Sequence, residues 1–182
     1  FGIVIENFLR PSYALVLQAY WAYLTDPIPI RALRAVERVA AETRGRGGRE
    51  MMLAILLIAG TSSGRELALN IMKLQNKTGL AETFDAAWNT SFDLTYTRLA
   101  VSMPLQGTLP EPVVFVTVDK HLSTFVNTIE PQGGGQVANG LLLPLDVSHM
   151  DGLVQGDLYE SVNKLMLSSV QAHAESTMLD DQ

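Results

Sequence analysis

The sequence predicts an α/β domain in which a small, mainly parallel sheet is surrounded by many helices. Three observations carry this expectation. Val113–Val118 is a continuous, largely β-branched run, the pattern of a central parallel strand buried on both faces. Two further short apolar runs, Gly2–Ile5 and Leu141–Val147, also read as strands. Helical patterns separate the three, and strands separated by helices pair in parallel through right-handed crossovers.

The elements follow in order. Gly2–Ile5 reads as a short buried strand. Pro11 suits the first turn of a helix, and Ser12–Leu24 continues it with Leu15, Ala19 and Tyr23 on one face. Asp26–Pro29 breaks the pattern. Ile30–Thr43 is amphipathic, with Leu33, Val36, Val39 and Ala40 opposite Arg31, Arg34 and Arg38. Arg44–Arg49 is a basic, glycine-rich loop, and Glu50–Ala59 is a buried helix. Thr61–Gly64 supplies a stop and a new N-cap for a helix from Arg65 to Asn76. Lys77–Gly79 is a turn before a long helical stretch, Leu80–Met103. Pro104–Pro112 is a loop ahead of the strong strand, and Lys120–Asn127 is a short helix. Pro131–Gly135 reads as a glycine-rich turn. Pro144 makes Leu141–Val147 an edge strand. Leu153–Ala174 is helical, with Leu158, Val162, Leu165 and Ser169 along one stripe. The expected organisation is one domain over residues 1–174 and a tail at 175–182.

Composition narrows the function classes. With 182 residues the chain can bury a substantial core without covalent staples. It has no cysteine, so disulfides and thiolate metal sites are excluded, and a reducing, cytoplasmic setting is the expectation. The most apolar run, Met51–Ala59, is too short for a bilayer, which needs about 20 residues. Phe1–Ile5 is followed at once by Glu6 and Asn7 and so does not read as a signal peptide. Net charge is −6, which argues against a protein that coats nucleic acid. Yet seven of the 13 cationic residues fall between Arg31 and Arg65, so a local grip on phosphates stays open.

Ligands of a parallel sheet gather beyond the carboxyl ends of its strands. The expected strands end at Glu6–Asn7, at Thr117–Asp119 and near Asp146. Carboxylates converging there repel one another unless a cation sits among them, and oxygen-only ligands favour Mg²⁺ or Mn²⁺ over zinc.

The order of these motifs resembles a PIN-like nuclease domain over about residues 1–147. The residues that carry the resemblance are Ile3–Asn7, then Arg49–Met51, then Phe92–Thr95, then Val116–Leu122. The resemblance implies a Rossmann-related three-layer fold and a metal-dependent endonuclease, with RNA the first choice of substrate. Glu6, Glu50, Asp93, Asp119 and Thr117 would form the catalytic set, with Glu6, Asp93 and Asp119 holding Mg²⁺ or Mn²⁺. The metal would lower the pKa of a bound water and neutralise charge on the scissile phosphate. Arg31, Arg34, Arg38, Arg44, Arg46 and Arg49 would hold the nucleic-acid backbone. A second copy of the chain or an inhibitory protein are further candidate partners, and no membrane is expected. The family's first acid is an Asp in an Asp-x-Asn pattern, whereas Glu6 directly precedes Asn7. This departure favours an alternative, a PIN-like fold that binds without catalysis. A third reading is an assembly domain that pairs through Leu153–Ala174.

Each signal also has a plain structural reading. Asp119 can simply cap the helix that begins at Lys120. Glu50 can sit in a first helical turn because the dipole favours it there. Asp85, Asn89 and Asp93 share one helix face, which can be a site or a solvated side. Phe84, Trp88 and Phe92 read as core. The arginines can be a solvated face and loop. His121, His149 and His173 lack metal-motif spacing, Gly133–Gly135 matches no phosphate-binding pattern, and no nucleophile elbow or His-Glu-x-x-His motif is present.

Overall fold

In a computed structural model of the chain the described residues are 2–42, 48–73, 79–105, 117–129, 135–137, 140–142, 150 and 152–166. Six helices account for most of them: α1 Gly2–Thr25, α2 Pro29–Glu42, α3 Gly48–Ala59, α4 Ser62–Met72, α5 Leu80–Leu105 and α6 Lys120–Thr128. A last helical stretch occupies 156–166. The described strands are β1 Gly135–Val137 and β2 Gly140–Leu142, paired antiparallel with Gln136 opposite Leu141.

The expected α/β fold is therefore corrected: among the described residues the architecture is helical and holds no parallel sheet. Gly2–Ile5 is the first turn and more of α1, and Pro11 lies inside that helix rather than at its start. An apolar run this short has no period of its own, so it takes the conformation of the helix-forming residues that follow. Val118, the expected buried end of the central strand, is fully exposed, and residues 117–119 form the lead-in to α6. Val113–Val116 lie outside the described residues. Of Leu141–Val147 only Leu141 and Leu142 are described, in an antiparallel hairpin that needs no crossover.

α3 organises the core. Every residue from Arg49 to Ala59 is buried, the expected state of a helix apolar all round. It packs against α1, α2 and α4, while α5 lies on α1 and α4 and α6 on α4. Leu15, Leu33, Leu56, Ile71 and Phe125 meet in this cluster. α2 contributes Ala32, Leu33 and Val36, the apolar side its sequence marks, and leaves Arg34 and Arg38 in solvent. Truncating a fully enclosed leucine such as Leu56 to alanine would cost about 2–5 kcal/mol.

The α3–α4 turn is clasped by the segment near residue 153. Thr61 N–H donates to the Leu153 carbonyl at 2.8 Å, and Gln155 N–H to the Ala59 carbonyl at 2.9 Å. This close approach requires Gly64, because a Cβ there would stand 2.2 Å from the Leu153 oxygen. Thr61 is the N-cap of α4, accepting from Gly64 N–H at 3.4 Å, as its place before a helical pattern predicts. Within 156–166 the stripe points inward, with Val162, Leu165 and Met166 in the core, while residues 167–174 of the expected pairing helix lie outside the described residues. Ser169 and the tail at 175–182 lie outside the described residues.

No helix among the described residues is long and apolar enough to cross a membrane.

Candidate functional site

The four acids of the expected catalytic set, of which Glu6, Asp93 and Asp119 were to hold the metal, belong to different elements, each with a structural partner. Glu6 is exposed on α1 and pairs with Arg10 one turn on. A surface hollow beside it is lined by Glu6, Asn7, Arg10 and Pro11. Asp93 on α5 accepts from Lys73 Nζ at 3.0 Å. Asp119 is the N-cap of α6, its Oδ1 accepting from His121 N–H at 2.9 Å and Leu122 N–H at 3.1 Å. Thr117 Oγ1 accepts the Asp119 N–H at 3.1 Å, which tightens the same turn. Among the described residues no three His, Asp or Glu side chains gather at a metal-binding spacing.

Glu50 has a different environment. Its carboxylate is fully buried at the junction of α1, α3 and α5. Ser12 Oγ donates to Oε1 at 2.5 Å, and Arg98 Nη2 donates to both oxygens, at 2.6 Å to Oε1. Arg98 also lies over the Phe8 ring at 5.7 Å. Any cation approaching Glu50 must first displace this guanidinium.

The expected backbone-gripping arginines divide. Arg31 makes a two-point contact with Asp26, and Asp26 Oδ1 also accepts Ile28 N–H at 2.9 Å. The Arg31 hydrogen bond, helped by Ile28, holds the Asp26 carboxyl below the usual carboxylate range. Arg34 and Arg38 are exposed on α2. Arg44 and Arg46 lie outside the described residues. Arg49 is 6% exposed and belongs to the interior, not to a surface loop. Burial, with a further push from Arg98 and an opposing pull from Glu50, lowers its pKa to about 10. Arg65 donates to the Leu57 and Gly60 carbonyls and so closes the end of α3.

Two features were not anticipated from the sequence. One is the polar seam of α5: Ser91 and Thr95 are buried and Arg98 nearly so, at four- and three-residue spacing on one face. That spacing was the available signal, and it was obscured by the more conspicuous acids. The other is an exposed apolar stripe on the same helix, beside that seam. Phe84 and Trp88 were expected in the core, yet Leu80, Phe84, Trp88 and Tyr96 are exposed, Leu80 at 78% and Trp88 at 42%. A chain of ring contacts links Trp88 and Tyr96 through half-buried neighbours: Tyr13 to Trp88 at 5.4 Å edge-on, Trp88 to Phe92 at 5.2 Å edge-on, and Phe92 to Tyr96 at 6.0 Å stacked. Glu82 and Asp85 are exposed on α5, and Asp93 is half-buried.

Comparison of the chain with protein-family models, with curated proteins and with solved structures returns no match. The resemblance to PIN-like nucleases thus stands on its short sequence motifs alone.

Proposed function

We propose that the chain is a helical docking module that receives a basic, amphipathic partner helix along α5. The observation that carries this reading is the stripe of exposed Leu80, Phe84, Trp88 and Tyr96 with half-buried Phe92 between them, one residue per turn for more than four turns. Scattered exposed apolar residues are ordinary, but a connected apolar stripe marks a contact surface. Aromatic side chains with few rotatable bonds are the usual anchors of such contacts. The acids select the partner's charge. Glu82 and Asp85, both exposed on α5, repel the phosphates of a nucleic acid and attract Lys or Arg beside an apolar face. A helix laid in this way would present its own apolar residues every three to four positions.

A metal-dependent ribonuclease using Glu6, Asp93 and Asp119 is the reading favoured by the order of the sequence motifs. It requires Lys73 to release Asp93, the α6 cap to open and Glu6 to leave Arg10. The docking reading needs no rearrangement, and for that reason it is preferred.

Calorimetric titration with two synthetic amphipathic helices, one Leu/Lys and one Leu/Glu, tests the proposal. Binding of the basic peptide alone is expected, weakening as salt rises. The double variant Phe84→Ala/Tyr96→Ala should lower that affinity by about tenfold or more. Equal binding of both peptides, or of neither, would contradict the proposal. Self-association lost on changing Trp88 would replace the partner helix with a second copy, whose exposed Trp21, Leu24 and Ile28 would be the counterpart.

A further inference from the structure

We propose that Arg49, Arg98 and Thr95 form an internal binding site for a phosphate-class oxyanion at the junction of α3 and α5. Three buried polar atoms in the described residues lack any hydrogen-bond partner: Arg49 Nη1, Arg98 Nη1 and Thr95 Oγ1. All three can donate, and they belong to one neighbourhood. Thr95 and Arg98 lie one turn apart on α5, Arg98 grips Glu50, and Arg49 is the residue before Glu50 on α3. A buried donor without an acceptor costs about 1–3 kcal/mol, so three together call for an acceptor with several oxygens.

The charge count points the same way. Two guanidinium groups stand near one carboxylate, which only Arg98 bonds, and the Ser12 hydroxyl that completes the Glu50 shell is neutral. The cluster carries a net positive charge in the interior, a costly state unless an anion or further polar groups compensate it. At neutral pH Arg49 keeps its proton, since its pKa stands at about 10. Guanidinium forks match the oxygens of phosphate better than any other side chain. Arg98 is the part of the cluster nearest solvent, with its side chain 14% exposed. Glu50 then has a specific role: it orients Arg98 through Nη2 and leaves Nη1 for the ligand.

The probe is inorganic phosphate, followed by thermal unfolding and by ³¹P line broadening, against chloride at matched ionic strength. Phosphate is expected to raise the melting temperature saturably, as any ligand of the folded state must. Arg49→Met removes a buried, poorly compensated charge, so it should fold at least as well in chloride and lose the phosphate response. Thr95→Val, a smaller change, should weaken phosphate several-fold. Glu50→Gln should tighten it by about tenfold, because one opposing charge is gone; a merely structural Glu50 would give destabilisation with no gain in affinity. Arg34→Met/Arg38→Met, on the solvent face of α2, should leave phosphate binding unchanged. Absence of any phosphate effect beyond chloride would overturn the proposal and leave the three donors to water. So would a response that survives both Arg49→Met and Thr95→Val but is lost in the α2 variant.

Discussion

Two arginine–carboxylate contacts in this molecule use the same chemistry in opposite surroundings. Arg31 meets Asp26 at the exposed entrance to α2. Arg98 meets Glu50 where α1, α3 and α5 come together, with the carboxylate entirely enclosed. Water and salt screen the first contact, and its side chains lose entropy in making it. The second cannot be screened, and loss of either member strands a charge in the interior. The first belongs to the basic segment that stands out in the sequence. The second joins residues 48 positions apart, and nothing in local sequence announces it. Conspicuous charge and consequential charge are therefore different sets of residues here.

The comparison can be broken at its strong end first. Arg98→Met should destabilise the chain by about 3–5 kcal/mol in urea unfolding, because Glu50 stays buried without its partner. Pairing it with Glu50→Gln should restore part of that loss; a double variant no better than the single one would show that Arg98 acts only through packing on Phe8. Next in size is Gly64→Ala. Its Cβ meets a backbone oxygen that cannot swing aside, so a loss of about 1–3 kcal/mol is expected. Asp119→Ala should cost about 1 kcal/mol, the usual value of an N-cap. In the same protein, Mn²⁺ is expected to leave the melting temperature unchanged with or without Asp119; a Mn²⁺ rise lost on substitution would revive the nuclease reading.

The weak end comes last. Asp26→Asn should leave stability within experimental error near neutral pH. The folded carboxyl titrates below its ordinary value of 3.8, so whatever Asp26 contributes is present above that range. It disappears as pH falls through the depressed folded value. A clear loss at neutral pH in this variant would erase the distinction between the two contacts.

The helices were legible from periodicity and punctuation. The pattern at Ile30–Thr43 is α2, that at Glu50–Ala59 is nearly all of α3, and Thr61 and Asp119 cap the helices they precede. The fold class was misread because short apolar runs carry no period. Gly2–Ile5 joined a helix, and the strand pair among the described residues is short and antiparallel, Gly135–Val137 with Gly140–Leu142. The candidate site was misjudged for a related reason. Asp93 and Asp119 stand out as acids in a line of text, but their partners, Lys73 and the first amides of α6, satisfy them locally. The orientation of α5 was the harder quantity. Phe84, Trp88 and Phe92 were assigned to the core, whereas Phe84 and Trp88 are exposed and Phe92 is half-buried. Packing turned Ser91, Thr95 and Arg98 inward instead, where the Ser91 carbonyl meets Ser12 and Arg98 meets Glu50.

The docking account is tested most directly by the emission of Trp88 in a Trp21→Phe background, where it is the one remaining tryptophan. A Leu/Lys amphipathic helix should shift that emission to the blue and saturate, as the half-exposed indole is covered, while a Leu/Glu helix should leave it unchanged. An unaltered Trp88 spectrum in the presence of the basic peptide would contradict the assignment of α5 as the contact surface.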